Sequence, residues 1–124
     1  MRFPKRVLLV EDFEDSRLGL LKLLEIEGFE VLEATDGAQA IDMAINSKPD
    51  LILMDLSLPI IDGLSATKTI REHVELDAVP IIALSAHELI DIQKELQAAG
   101  CAGFISKPVD FPALLAEMSK LLSN

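Results

Sequence analysis

Trp and Tyr are absent from the 124 residues, and Phe, present five times, is the only aromatic. A buried core must therefore be assembled mostly from Leu, Ile, Val and Ala. Cysteine is scarce too. Cys101 stands alone, so no internal disulfide can form and a reducing compartment is expected. Basic residues are outnumbered: 11 Lys and Arg face 21 Asp and Glu, for a formal net charge of −10. That balance repels nucleic acid and anionic membranes, and no basic stripe offsets it. Divalent cations and basic partner patches suit it better. Long apolar runs are missing as well. The N-terminus Met1-Arg2-Phe3-Pro4-Lys5-Arg6 is basic, but the apolar run after it ends at Val10, before Glu11 and Asp12. This is too short for a signal peptide or a membrane span, so a soluble, cytoplasmic protein is expected. No repeat, low-complexity tract or Pro/Gly-rich linker divides the chain, which reads as one domain over residues 1–124.

What is present is an alternation. Five short runs, Val7–Val10, Glu30–Ala34, Leu51–Met54, Pro80–Leu84 and Ala102–Ile105, are separated by longer amphipathic stretches. The first, third and fourth runs are almost wholly apolar, as central strands of a parallel sheet are when both faces are covered. The second is flanked by charge, as an edge strand would be. The stretches 16–27, 37–47, 64–74, 88–99 and 111–122 carry apolar residues three and four apart, the helical period. Leu20, Leu21, Leu24 and Ile26 mark the first, with Gly28 just past its end, and Ala66, Thr67, Ile70 and Val74 mark the third. Five strands alternating with five helices predict an α/β fold, a doubly wound five-stranded parallel sheet of flavodoxin-like (βα)5 type. Its common strand order, 2-1-3-4-5, places a ligand-binding switch point beyond the carboxyl ends of strands one and three.

The polar residues that follow the runs then converge. Glu11 and Asp12 follow run one, Asp55 run three, Ser85 run four, and Lys107 run five after Ser106. Any one of them reads as a loop residue, a helix cap or a surface lysine. Asp55 differs because Leu51 to Met54 precede it and Leu56 follows, and an ionisable group inside such a run is costly unless it is paired or ligates a metal. Three carboxylates brought together need cations. Lys107 supplies one charge and a hard divalent ion the rest. Oxygen ligands suit Mg2+, with Mn2+ as the acceptable substitute, and the absence of His and Cys from the group disfavours zinc. Metal, lysine and hydroxyl around a carboxylate suit phosphoryl transfer, with the carboxylate attacking to give a labile acyl phosphate.

At these residues the chain resembles the receiver domain of two-component response regulators, of the stand-alone, chemotaxis-regulator-like type. The resemblance runs from about Lys5 to Leu122. It is carried by Val-Glu-Asp at 10–12, Met-Asp-Leu-Ser-Leu-Pro at 54–59, Asp-Gly at 62–63, Leu-Ser-Ala at 84–86 and Phe-Ile-Ser-Lys-Pro at 104–108. It implies that Asp55 is the phospho-acceptor, that Asp12 ligates Mg2+ directly and Glu11 through water, and that the backbone carbonyl of Ser57 is a further ligand. It also implies that Lys107 binds the phosphoryl group, that the bond before Pro108 is cis, and that Ser85 and Phe104 are the switch pair. Glu11 departs from the commoner Asp, and Phe104 lacks the hydroxyl of a Tyr.

The implied protein is a signalling switch rather than an enzyme, catalysing its own phosphorylation and autodephosphorylation. Its donor would be a sensor histidine kinase or phosphotransfer protein. Its output would be contact with an unnamed downstream protein, through the face formed by the fourth helix, fifth strand and fifth helix, as a monomer or weak dimer. No output domain is expected after the fifth helix, so contact is the expected route. Ile90 on that face and His87 near the pocket mouth are secondary candidates, while His73 reads as a helix-end residue and Cys101 as a small buried side chain. A flavin-binding alternative is disfavoured by Glu11-Asp12-Phe13-Glu14-Asp15, which would repel a phosphate. A small-molecule phosphohydrolase is disfavoured by the lack of room for a cap.

Overall fold

Val7–Val10, Leu51–Met54 and Ile81–Leu84 carry no polar side chain and are fully buried. A strand covered on both faces has no solvent side to mark with polar residues, so it reads as an unbroken aliphatic run. The computed structural model describes residues 4–86 and 89–122, the side chains of 89–91 excepted. His87 and the side chain of Ile90 lie outside the described residues. In chain order the elements are β1 (Arg6–Val10), α1 (Glu14–Ile26), β2 (Glu30–Ala34), α2 (Gly37–Ser47), β3 (Leu51–Asp55), α3 (Gly63–Arg71), a 3-10 turn (Val74–Leu76), β4 (Ile81–Ser85), α4 (Leu89–Ala99), β5 (Gly103–Ser106) and α5 (Phe111–Leu122).

The sheet is parallel throughout, in the order β2-β1-β3-β4-β5. The charged run Glu30–Ala34 is an edge, as expected. Alternation along the strands divides the core in two. Leu8, Val10, Ile52, Met54, Ile81 and Ala83 face α2, α3 and α4, where Ala40, Ala44, Ala66, Ile70 and Leu96 meet them. Val7, Leu9, Leu51, Leu53, Ile82 and Leu84 face α1 and α5, meeting Leu20, Leu24, Leu114 and Met118.

The helices depart from their periodic expectation at particular residues. α1 begins at Glu14 rather than Ser16, and Glu14 and Asp15 in its first turn complement the positive end of the helix dipole. Its stripe does not extend to Ile26, which is 78% exposed. Gly28 (φ +96°) takes the left-handed position after the helix. α3 stops at Arg71, three residues early, and Val74 is 77% exposed while Leu76 fills the core position instead. Arg71 supplies the reason. Its guanidinium donates to the carbonyls of Leu76 (2.9 Å), Val79 (2.8 Å) and Gly100 (3.1 Å), pulling the chain off the helical path and tying it to the turn after α4. Burial pushes the Arg71 pKa down from the usual arginine value, against the pull of Cys101 and Asp77.

Candidate functional site

The same alternation that divides the core aims the polar residues at the strand ends. Asp55 closes β3 and continues the row Leu51, Leu53, on the α1 and α5 side. Glu11 stands two residues past Leu9, and Lys107 two past Ile105, in the same row. All three therefore meet at the sheet's carboxyl end. Lys107 Nζ donates to Glu11 Oε1 at 2.7 Å and to Asp55 Oδ2 at 3.0 Å. Both acids are buried, Glu11 at 1% and Asp55 at 2% exposed. Burial works against the ammonium, but the hydrogen bonds to Glu11 and Asp55 outweigh it and hold the Lys107 pKa above its usual value.

The backbone completes the arrangement. Ser57 N–H donates to Asp55 Oδ1 at 3.1 Å, so both oxygens of Asp55 accept a hydrogen bond. Glu11 is held at four points. Its N–H donates to the Ala34 carbonyl (3.0 Å) and its Oε2 accepts from Phe13 N–H (3.1 Å); its Oε1 accepts from Lys107, and its carbonyl from Arg17 Nη1 (3.3 Å). The β3–α3 loop is pinned by packing as well as by bonds. Leu56 N–H donates to Leu84 O and Gly63 N–H to Leu56 O, and a Cβ at Gly63 would overlap the carbonyl of Asp55. Asp62 caps α3 by accepting from Ser65 N–H, the bond that chiefly holds its carboxyl below the usual range.

Asp12 completes an acidic triad. Glu11, Asp12 and Asp55 each offer a carboxylate oxygen, and these oxygens lie within 4.8 Å of one another. Three carboxylates against one ammonium leave two negative charges, the charge of a single divalent cation. Asp12 is exposed and the other two are buried, so the group opens to solvent on one side only. All three donors are hard oxygens, which fits an alkaline-earth or similar ion and not zinc. The cluster can hold a metal ion.

Glu11, Asp12, Asp55, Ser85 and Lys107 lie at this end of the sheet, and Phe104 lies within β5. Ser85 ends β4, 1% exposed, and its carbonyl accepts from Lys107 N–H at 2.8 Å. By alternation Ser85 continues the row Ile81, Ala83, on the α4 side. Phe104 of β5 pairs with Ala83 and packs against the same cluster, half-buried. The bond before Pro108 is cis. Ser57 is exposed at the loop's start. Arg17 was not anticipated. A lone arginine in an amphipathic helix reads as a solvated charge, yet its Nε also bonds Glu33 Oε1 at 3.0 Å, joining α1 to β2.

Known proteins share this frame. A profile described as "Response regulator receiver domain" matches residues 7–119. The polar-differentiation response regulator DivK of Brucella anthropi is 35% identical over 121 residues, covering 98% of each chain. Among solved structures, the receiver domain of sensor histidine kinase PA1611 from Pseudomonas aeruginosa, which has a magnesium ion coordinated in its active site cleft, superposes with a TM-score of 0.90 at 33% identity. The match covers 98% of this chain and all of that one. The chemotaxis response regulator CheY4 of Vibrio cholerae superposes with a TM-score of 0.91 at 28% identity, covering 97% of this chain and all of the other. The chain belongs to the response regulator receiver domain family, and it is a phosphorylation-dependent signalling switch of a two-component system.

Proposed function

We propose that Asp55 is the residue phosphorylated and that a phosphohistidine is the donor. The observation that carries this reading is the setting of Asp55. It is a buried carboxylate at the end of a central strand, bonded by one ammonium, with two further carboxylates against it. In the transfer, an oxygen of Asp55 attacks phosphorus, the P–N bond to the imidazole breaks, and its electron pair leaves with the imidazole nitrogen. Lys107 lies where its ammonium can follow the charge onto the phosphoryl oxygens. Asp12, Asp55 and the Ser57 carbonyl would hold Mg2+, with Glu11 beside them. The ion would offset negative charge on the phosphoryl oxygens.

A cleft of about 250 Å3 supports the donor's approach. It is lined by Asp15, Gly19, Leu20 and Leu23 of α1, by Pro108 and Val109, and by Glu11 and Lys107. Leu23 in this lining is exposed, as are Leu18 and Ile26 of the same helix. An apolar helix carrying a histidine fits such a surface.

For output, Ser85 and Phe104 lie on the same face of neighbouring strands, two positions apart in register. We read them as the pair that links phosphorylation to the α4–β5–α5 surface. A hydroxyl drawn toward a phosphoryl group leaves room on the α4 side, and a half-buried ring is placed to use it. The location of this chemistry is the cytoplasm, in keeping with a single cysteine and with no helix, among the described residues, long and apolar enough to cross a membrane.

The test is beryllofluoride with Mg2+, a phosphoryl analogue, while the backbone amides of Asp55, Ser85 and Phe104 are followed by NMR. Shifts at all three are expected, and Asp55→Asn abolishes them. A silent wild type removes the switch reading, and shifts that survive Asp55→Asn remove the assignment of the acceptor.

A further inference from the structure

Arg17 is absorbed by neither the core nor the acid cluster, yet its side chain is only 15% exposed. Its two bonds go to different places. Nε binds Glu33 Oε1, at the end of the edge strand next to Ala34, and Nη1 binds the carbonyl of Glu11. That carbonyl and the N–H of Asp12 belong to one rigid peptide plane. Asp12, the exposed member of the acidic triad, follows directly on that plane. Glu11 is fixed by four bonds, three of them within β1, β2 and the turn itself or from Lys107. The fourth, from Arg17 at 3.3 Å, is made to the carbonyl of the peptide leading to Asp12.

We infer that Arg17 is a positioning residue for the divalent cation site, holding the Glu11–Asp12 peptide so that the Asp12 carboxylate meets those of Glu11 and Asp55. The inference rests on the metal reading above and deepens it. A positional role and a purely electrostatic one differ in sign. Arg17 places a positive charge beside the turn that carries two of the three acids. Coulomb's law alone says that removing this charge strengthens cation binding. Loss of positioning weakens it, because a ligand held in place by an outer partner binds worse when that partner goes.

The experiment measures Mg2+ affinity by calorimetry and by the Asp12 and Asp55 amide shifts, for the wild type, Arg17→Met, Arg17→Lys and Glu33→Gln. Arg17→Met keeps the length and helix propensity of the side chain, so α1 persists, and the melting temperature of the cation-free variant checks this. Arg17→Met is expected to bind Mg2+ about 10-fold more weakly, with a displaced Asp12 amide before any cation is added. Arg17→Lys keeps the charge without the fork and is expected to fall between. Glu33→Gln keeps an acceptor oxygen for Nε and is expected to stay within about twofold of wild type. Equal or tighter binding by Arg17→Met overturns the inference, as does full recovery by Arg17→Lys, which would make the role one of charge. A wild type that binds no Mg2+ overturns the metal reading itself and this inference with it. A changed melting temperature with unchanged affinity assigns Arg17 to structure alone and also overturns it.

Discussion

Replacing Lys107 by Met tests how the site stores charge before any cation or phosphoryl group arrives. The ammonium holds two carboxylates that are 1% and 2% exposed, at 2.7 Å and 3.0 Å. A hydrogen bond to a charged group contributes about 1.5–3 kcal/mol net, so two give about 3–6 kcal/mol. The Lys107 side chain is itself 25% exposed, which screens part of this, and the Met side chain keeps the apolar contacts of the lysine stem. A loss of about 2–4 kcal/mol is expected at neutral pH without divalent cations. The assay is urea unfolding followed by far-UV circular dichroism, since a chain without Trp or Tyr has no useful intrinsic fluorescence. Two further signatures identify the cause. The loss shrinks in acid, where carboxylates protonate and their repulsion disappears, and millimolar Mg2+ restores part of it. A Lys107→Met protein within about 0.5 kcal/mol of wild type without cation, or a loss that is the same in acid, would falsify this account of the pocket.

Other perturbations follow from single observations. Gly63→Ala places a Cβ against the carbonyl of Asp55, a backbone atom that cannot yield; a cost of about 2–3 kcal/mol is expected in the same urea assay, and a neutral effect would refute the close approach. Asp62→Ala removes the cap that accepts from Ser65 N–H and O–H, with an expected loss of about 1 kcal/mol; an unchanged midpoint would count against it. The Cys101 thiol is pushed up to about 11, chiefly by burial. A raised thiol pKa stabilises the fold fully below the unfolded value of 9.0 and loses that contribution as pH rises through the folded one. Stability is thus expected to fall between pH 9 and 11, and to fall less steeply in Cys101→Ala; matching slopes would refute the assignment. The same burial makes the native thiol unreactive, so prompt labelling by Ellman's reagent at pH 8 in the absence of denaturant would contradict the structure.

Strands and acid cluster were legible for one physical reason. A strand buried on both faces must be apolar throughout, so the residue that ends the run is conspicuous, and Asp55, Ser85 and Glu11 are such residues. Helix limits were less legible. Ile26 and Val74 obey the helical period but are exposed, because period says nothing about where a helix leaves the sheet. The early end of α3 depends on Arg71 reaching carbonyls of Leu76, Val79 and Gly100, partners that no local pattern announces. Arg17 was hidden in the same way. Long basic side chains on a helix look alike whether they end in water or on a distant carbonyl, and only the packed neighbours decide.

The division of the core by the sheet bears on how such a molecule diverges. Among the described residues the two apolar clusters share no side chain, so substitutions in one layer should combine additively with those in the other. Drift in the α2–α3–α4 layer then leaves the packing behind Glu11, Asp55 and Lys107 untouched, and drift around α1 and α5 leaves that behind Ser85 and Phe104 untouched. The packing behind the switch pair and the packing behind the acid cluster can therefore be revised on separate schedules, as long as the few residues at the rim of the sheet are inherited together.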